Sequence, residues 1–131
     1  MKRIIYLVLG GPGSGKGTFC QNIIRRAEPK SIQHISAGEL LRKFSKKNEK
    51  DIKDEAEFKD LMTVQSYLKE SKIVPAEITM NLLRRSIYHM DSTYAFIDGF
   101  PRNLENKNLL DQVLYRNKEI QLEGVVYLNC W

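Results

Sequence analysis

The stretch that decides the reading is "LVLGGPGSGKGT", Leu7 to Thr18. An apolar, β-prone run (Ile4 to Leu9) ends in glycines, and a lysine follows before the chain turns polar. An unbroken apolar run suits a strand buried on both faces, as in a parallel sheet. Gly10, Gly15 and Lys16 fit the G-x-x-x-x-G-K part of a phosphate-binding loop. Glycines there let backbone N–H groups converge on phosphate oxygens with no Cβ in the way. The next helix points its positive end at the anion, and the lysine reaches the outer phosphates. A glycine-rich run alone could be a tight turn. Strand, loop, lysine and helix in succession are what make it a site.

Outward from this loop, apolar runs alternate with helical patterns. A first helix is expected to about Ala27, stopped near Pro29, and a second strand at Ile32 to Ile35. In "SAGELLR", Ser36 and Glu39 have capping-box spacing, so a second helix starts at Ser36. The mixed charge run Lys43 to Glu55 reads as a solvated helix end and loop, because acids interleave with the lysines. Phe58, Leu61, Met62 and Leu68 mark one helical face, and Met80, Leu83, Ile87 and Met90 mark another. The second of these helices has Pro75 at its first position. Tyr94 to Ile97 is a third strand, Leu104 to about Lys118 a helix, and "GVVYLN" from Gly124 a fourth strand. Strands alternating with helices predict an α/β fold with a parallel sheet and right-handed crossovers. No repeat, linker or low-complexity segment interrupts it.

Bulk properties exclude more than they assert. A chain of 131 residues is one domain by length. Its +5 charge, from 21 Lys and Arg against 16 Asp and Glu, suits a polyanionic partner without selecting one. Basic patches of nucleic-acid type are missing, and nothing approaches the ~20 apolar residues of a membrane span. The apolar run Ile4 to Leu9 is too short for a signal peptide. Cys20 and Cys130 lack disulfide-scaffold density or metal-ligand spacing, so a reducing compartment is expected, the cytoplasm first, with the nucleus open. His34 and His89 have no Cys or His at ligand spacing and read as structural.

"GGPGSGKGT" carries Gly17 where most phosphate loops place the magnesium-touching Ser or Thr, with Thr18 one position later. In this form it resembles the nucleoside monophosphate kinases of the adenylate kinase superfamily. "SAGELLR" (Ser36 to Arg42), "KIVPAEIT" (Lys72 to Thr79) and "DGFPRN" (Asp98 to Asn103) follow in that family's order. The resemblance covers nearly the whole chain and implies a P-loop NTP-binding fold with strand order 2-3-1-4. It implies one domain, 1–131, holding a monophosphate-binding insertion at 36–90. ATP would lie on Gly11, Gly13, Ser14, Gly15, Lys16, Gly17 and Thr18, and Asp98 would hold Mg2+ through water. Lys16, Asp98 and Arg102 would serve catalysis. Ser36, Arg42, Ile73, Val74, Gly99, Arg102 and Asn103 would receive the acceptor, the two arginines by bidentate bonds to its phosphate. No general base is needed, because the attacking oxygen of a monophosphate is already ionised.

Within the family, "DGFPRN" followed by "LEN" resembles the UMP/CMP kinases, with the Asn103 amide able to pair with either pyrimidine. Adenylate kinase acting on AMP is the other reading, and Asn103 as a simple helix cap the plainer one. Ser71 stands where the family commonly has glycine, and Phe19 where it has glutamine. Family members continue past "VVYLNCW" with a helix, an arginine-bearing lid, a fifth strand and a last helix. Two expectations follow: the amino-terminal part of a kinase, or a nucleotide-binding remnant or interaction subunit without useful turnover. A fourth strand at the sheet edge would also invite self-association.

Overall fold

The structure is a computed structural model that describes residues 2–11, 14–26 and 31–128. Four strands, β1 (Arg3–Leu9), β2 (Ile32–Ser36), β3 (Tyr94–Asp98) and β4 (Ile120–Tyr127), form one sheet in the order β2-β3-β1-β4. Every pairing in it is parallel, as the sequence predicts. Five helices accompany the strands: α1 (Lys16–Arg26), α2 (Ala37–Ser45), α3 (Glu55–Lys69), α4 (Ala76–His89) and α5 (Leu104–Arg116).

Alternation along the strands divides the interior into two layers. Ile5 and Leu7 of β1, Ile35 of β2, Ala95 and Ile97 of β3 and Ile120 of β4 pack with Met80, Leu83, Ile87 and Met90 on one face. The α4 stripe read from the sequence is therefore core. On the opposite face Val8 and Phe96 meet Cys20 of α1, with Phe19 and Ile23 beside them. Helices on both faces explain why β1 is apolar without alternation.

Three local readings need correction. In α3 the buried positions are Glu57, Leu61 and Val64, while Phe58 and Met62 are exposed. That helix packs chiefly against α2, so its inner stripe is narrow, and two of the four expected apolar residues fall outside it. Pro75 is the N-cap of α4, not its first helical residue. At the other end, α5 stops at Arg116 and β4 begins at Ile120, four residues before "GVVYLN". Asn117 is the cause: its backbone N–H and side-chain amide both donate to Val113 O, at 2.9 and 2.8 Å. Tyr88 Oη pins it by donating to Asn117 Oδ1 at 2.7 Å. β4 then pairs with β1 from Arg3↔Ile120 onward, with a register shift where Ile5 faces Leu122 and Tyr6 faces Gly124. β4 is an edge strand of the described sheet, with Val125 and Tyr127 exposed.

Glu57 is the one buried carboxylate on α3 and it is fully engaged. Lys47 Nζ pairs with Oε1, and the Lys53 backbone N–H donates to Oε2 at 3.2 Å. The Lys47 ammonium holds this carboxyl below its ordinary 4.5, against the opposing effect of burial. A depressed folded-state pKa contributes stability above the unfolded value that is lost as pH falls through the folded one. The wild-type chain should therefore lose thermal stability on acidification below about pH 4.5, and Glu57→Gln should flatten that part of the profile. Parallel melting curves for the two proteins, by circular dichroism across acid pH, check this.

Candidate functional site

The functional residues gather where the parallel strands end. β1 runs out at Leu9 into the glycine loop, β2 at Ser36 and β3 at Asp98. Val8 of β1 and Ser36 of β2 are both register partners of Asp98, so the three strand ends are level. Ligands of open α/β sheets bind at such carboxyl ends.

Gly10 is required by close approach. A Cβ there would lie 2.5 Å from Ser14 Oγ and 2.7 Å from Leu128 O. Gly15 has φ +85°, a left-handed conformation that side chains disfavour. Around Gly11 and Gly17 the space a Cβ would take is open. Lys16 opens α1, and its Nζ donates to the loop's own Gly10 O at 2.9 Å and Gly11 O at 3.4 Å. Ser14 Oγ is buried and bonded to nothing among the described residues. Gly13 lies outside the described residues.

Three cavities open along this edge. The first, about 460 Å³, is lined by Gly10, Gly11 and Lys16 on one side and Gly99, Phe100 and Arg102 on the other. The second, about 360 Å³, shares Gly99, Phe100 and Arg102 with it and adds Arg42, Lys72, Ile73, Val74 and Asn106. The third, about 360 Å³, is lined by Ser14 to Thr18 together with His34, Ser36, Glu39 and Asp98. Arg42, Ile73, Val74, Gly99 and Arg102 are thus brought together as expected. Ser36 is not with them: it caps α2, accepting from Glu39 N at 3.3 Å, and faces the loop and Asp98.

The second cavity has three cationic side chains and no carboxylate on its wall. Arg42 lies over Gly38, whose Cβ would come within 3.2 Å of Nη1. Arg102 is steadied by donation from Nε to Gly99 O at 3.0 Å, across a turn in which Gly99 takes φ +84°. Such a wall favours an anion, and its apolar members, Ile73, Val74 and Leu41, suit a flat ring beside it.

Asn103 is not part of that wall. It is the N-cap of α5 and exposed, its Oδ1 accepting from Asn106 N at 2.8 Å. Its capping bond occupies the amide oxygen, and Asn106, one helical turn on, is the asparagine that lines the cavity. Asn106 is buried, and its Oδ1 accepts the Arg102 backbone N–H at 3.0 Å. A sequence signal for it existed: Asn103 at an N-cap puts Asn106 at the third helical position, on the face that turns back toward Arg102.

His34 is the second residue that sequence spacing missed. It stands two residues before Ser36 on β2, on the same sheet face, and its Nε2 pairs with Asp98 Oδ2. Gln21 Nε2 lies 3.2 Å from Nδ1. Asp98 first, and Cys20 after it, push the imidazole up to about 10 against the effect of burial. Asp98 therefore carries a cationic neighbour at neutral pH. The oxygen donors around the third cavity, Asp98 and Glu39 with the hydroxyls of Ser14, Thr18 and Ser36, fit a hard divalent cation.

Ser71, preceding the wall residues Lys72 to Val74, has φ +56°. A left-handed non-glycine residue costs roughly 1–2 kcal/mol. Ser71→Gly should raise stability, by about 0.5–1 kcal/mol once glycine's looser unfolded chain is counted. Urea unfolding of the two proteins measures it, and a loss of stability would contradict the strain.

Comparison with known proteins gives a consistent pattern. A family model described as adenylate kinase matches residues 8–131. A protein named "Probable UMP-CMP kinase 1" from Arabidopsis thaliana is 40% identical over 129 residues, covering 98% of this chain and 55% of the relative. The UMP-CMP kinase of Xenopus laevis is 37% identical over 138 residues, covering 99% and 63%. That of Homo sapiens is 45% identical over 114 residues, covering 81% and 51%. The chain thus spans between about half and two thirds of the length of the relatives it matches.

Proposed function

The chain belongs to the adenylate kinase family, and from that premise we propose that it serves phosphoryl transfer from ATP to a pyrimidine nucleoside monophosphate, CMP or UMP. The observation that carries this reading is the adjacency of two phosphate-suited cavities. One is walled by the glycine loop and Lys16, the other by Arg42, Lys72 and Arg102, and Gly99 and Arg102 belong to both. Two phosphates held on either side of one arginine are positioned for in-line transfer, where alignment and charge neutralisation do most of the work. The insertion at 36–90 corresponds to α2, α3 and α4 with their connections, and these helices together with Ser71 to Val74 between α3 and α4 build most of the acceptor wall.

The roles divide by chemistry. Lys16, whose Nζ rests on Gly10 O and Gly11 O, would reach the outer phosphates of ATP, and the N–H groups of Gly11 and of residues 14 to 18 would be offered to its oxygens. Asp98 would hold Mg2+ through water, and the ion would supply neutralisation of phosphate charge. Arg42 and Arg102 take the acceptor phosphate as bidentate donors. Asn106 meets the base, since an amide with a donor and a free lone pair pairs with the edge of uracil or cytosine alike. The names of the relatives favour pyrimidines over adenine.

Two measurements test this reading. Isothermal titration of the chain with CMP, UMP and AMP should show tighter binding of both pyrimidine nucleotides. Asn106→Ala should shrink the ratio, by a free energy of about 0.5–1.5 kcal/mol. Asn103→Ala should leave the ratio alone and lower stability by about 1 kcal/mol through loss of the cap. AMP binding tighter than CMP, or an unchanged ratio in Asn106→Ala, sinks the base assignment. Separately, Lys16→Met keeps the side chain's bulk while removing its charge. ATP affinity should fall at least about tenfold, the loss of one charge-assisted contact, with the ligand-free melting temperature scarcely moved. Full ATP affinity in that variant would show the glycine loop to be no nucleotide site.

A further inference from the structure

Behind Asp98, on the side away from the acceptor cavity, three side chains of metal-ligating type converge from three elements. Cys20 of α1, His34 of β2 and Asp98 of β3 bring one donor atom each to within 4.8 Å of one another. The nucleotide reading uses only Asp98, and only through water. Cys20 is a free thiol with 0% exposure, while His34 and Asp98 are 12% and 13% exposed at the floor of the third cavity. We propose that Cys20, His34 and Asp98 form a binding site for a thiophilic divalent cation of the zinc class.

The donor set argues for that class. Thiolate, imidazole and carboxylate together suit zinc, whereas magnesium prefers oxygen alone. Zinc bonds of roughly 2.0–2.3 Å to such ligands put tetrahedral donor atoms about 3.3–3.8 Å apart. The observed spread is 4.8 Å or less, so rotation of Cys20 brings its sulfur in while rotation of Asp98 opens the closer His34–Asp98 pair to admit the ion. A backbone shift is not needed, because β2 and β3 are locked in parallel register beside each other, with His34 opposite Phe96 and Ser36 opposite Asp98. The ion takes the place of the proton that His34 and Asp98 share and of the thiol proton, and both pass to solvent. Three protein ligands leave the fourth position open toward the cavity, for water or a phosphate oxygen. Gln21, whose amide nitrogen sits 3.2 Å from His34 Nδ1, would turn its amide over so that Oε1 accepts the Nδ1–H of a metal-bound imidazole, the outer hydrogen bond such a ligand needs.

Approach is from the cavity, past His34 and Asp98. Cys20 closes the inner side, among Val8, Phe96 and Phe19, where a bound ion would be sheltered from chelating solvent. Where the proposed function holds, zinc here would compete with magnesium for Asp98. The site itself does not depend on that reading.

Cobalt(II) is the probe, because a thiolate–cobalt bond gives an ultraviolet charge-transfer band without any nucleotide. The 131-residue chain carrying Cys130→Ser keeps Cys20 as its single thiol. On titration it should develop this band together with visible tetrahedral-field absorption, and one equivalent of zinc should bleach both while excess magnesium does not. Adding Cys20→Ser or Cys20→Ala should abolish the band. His34→Asn should weaken zinc at least about tenfold against a chromogenic chelator, the scale at which even outer partners of a metal act. Far-ultraviolet circular dichroism without metal identifies any variant that has lost its fold. No charge-transfer band in the Cys20-only chain overturns the site whatever the variants do. So does equal zinc affinity in a folded Cys20→Ala protein. Neither result bears on CMP or ATP binding, so the two readings fail separately.

Discussion

The site rests on the in-register parallel pairing of β3 between β1 and β2. Backbone hydrogen bonding sets Asp98 level with Val8 on one side and Ser36 on the other. A slip of β3 by one residue would turn Asp98 away from His34 onto the opposite face, among Leu83, Ile87 and Met90, and take Phe96 out of contact with Cys20. The apolar pattern forbids that slip, since Ala95 and Ile97 are required on the core face and Phe96 beneath α1. Burial energy spent along the strands therefore becomes positional accuracy at their ends. The glycine loop, the Ser36 cap and the Asp98–Gly99 turn are all consequences of strands that stop together.

At that edge the local backbone does what side chains could not. Gly10 admits a carbonyl and a hydroxyl to distances no Cβ would tolerate, and Gly99 turns through φ +84° to swing Arg102 back over the strand end. Arg102 is held at both ends of its reach, by Nε on Gly99 O and by its backbone N–H on Asn106. A guanidinium fixed in this way loses less freedom on meeting a phosphate than a loose surface arginine does. Ser71 is the exception among these turns, a left-handed residue with a Cβ, and the strain sits in the segment leading to the acceptor wall.

Most of the fold was legible because its signals are local. The run Ile4 to Leu9, the glycines after it, the Ser36–Glu39 box and the α4 stripe each fix one element by composition and period. Strand order rested on the family resemblance, and the sheet has that order. The readings that failed depend on neighbours distant in sequence. Phe58 and Met62 have helical spacing, but how wide a face of α3 is covered depends on α2. The start of β4 depends on Tyr88 holding Asn117. Of the residues lining the candidate site's cavities, Lys16, Arg42 and Arg102 are named by motif in the sequence, while His34 and Asn106 are not. His34 lies far from Asp98 in sequence and only the β2–β3 register joins them. Asn106 was overshadowed by Asn103, whose amide turned out to be occupied in capping α5.

Charge ties these parts into one physical argument. Arg42, Lys72 and Arg102 share a wall with no acid on it, and their mutual repulsion is held in check by packing and by Glu70 on Lys72. The carboxylate at the strand ends, Asp98, is paired with His34 and does not line that cavity. The positive potential of Arg42 and Arg102 is thereby left on the wall of the second cavity, while charge is neutralised where the strand ends pack. An anion entering the second cavity relieves repulsion as well as forming bonds, so its binding is favoured beyond the sum of its contacts. The same arrangement accounts for Lys16 resting on carbonyl oxygens of its own loop. Those carbonyls hold the ammonium in place without a carboxylate that an anion would have to displace.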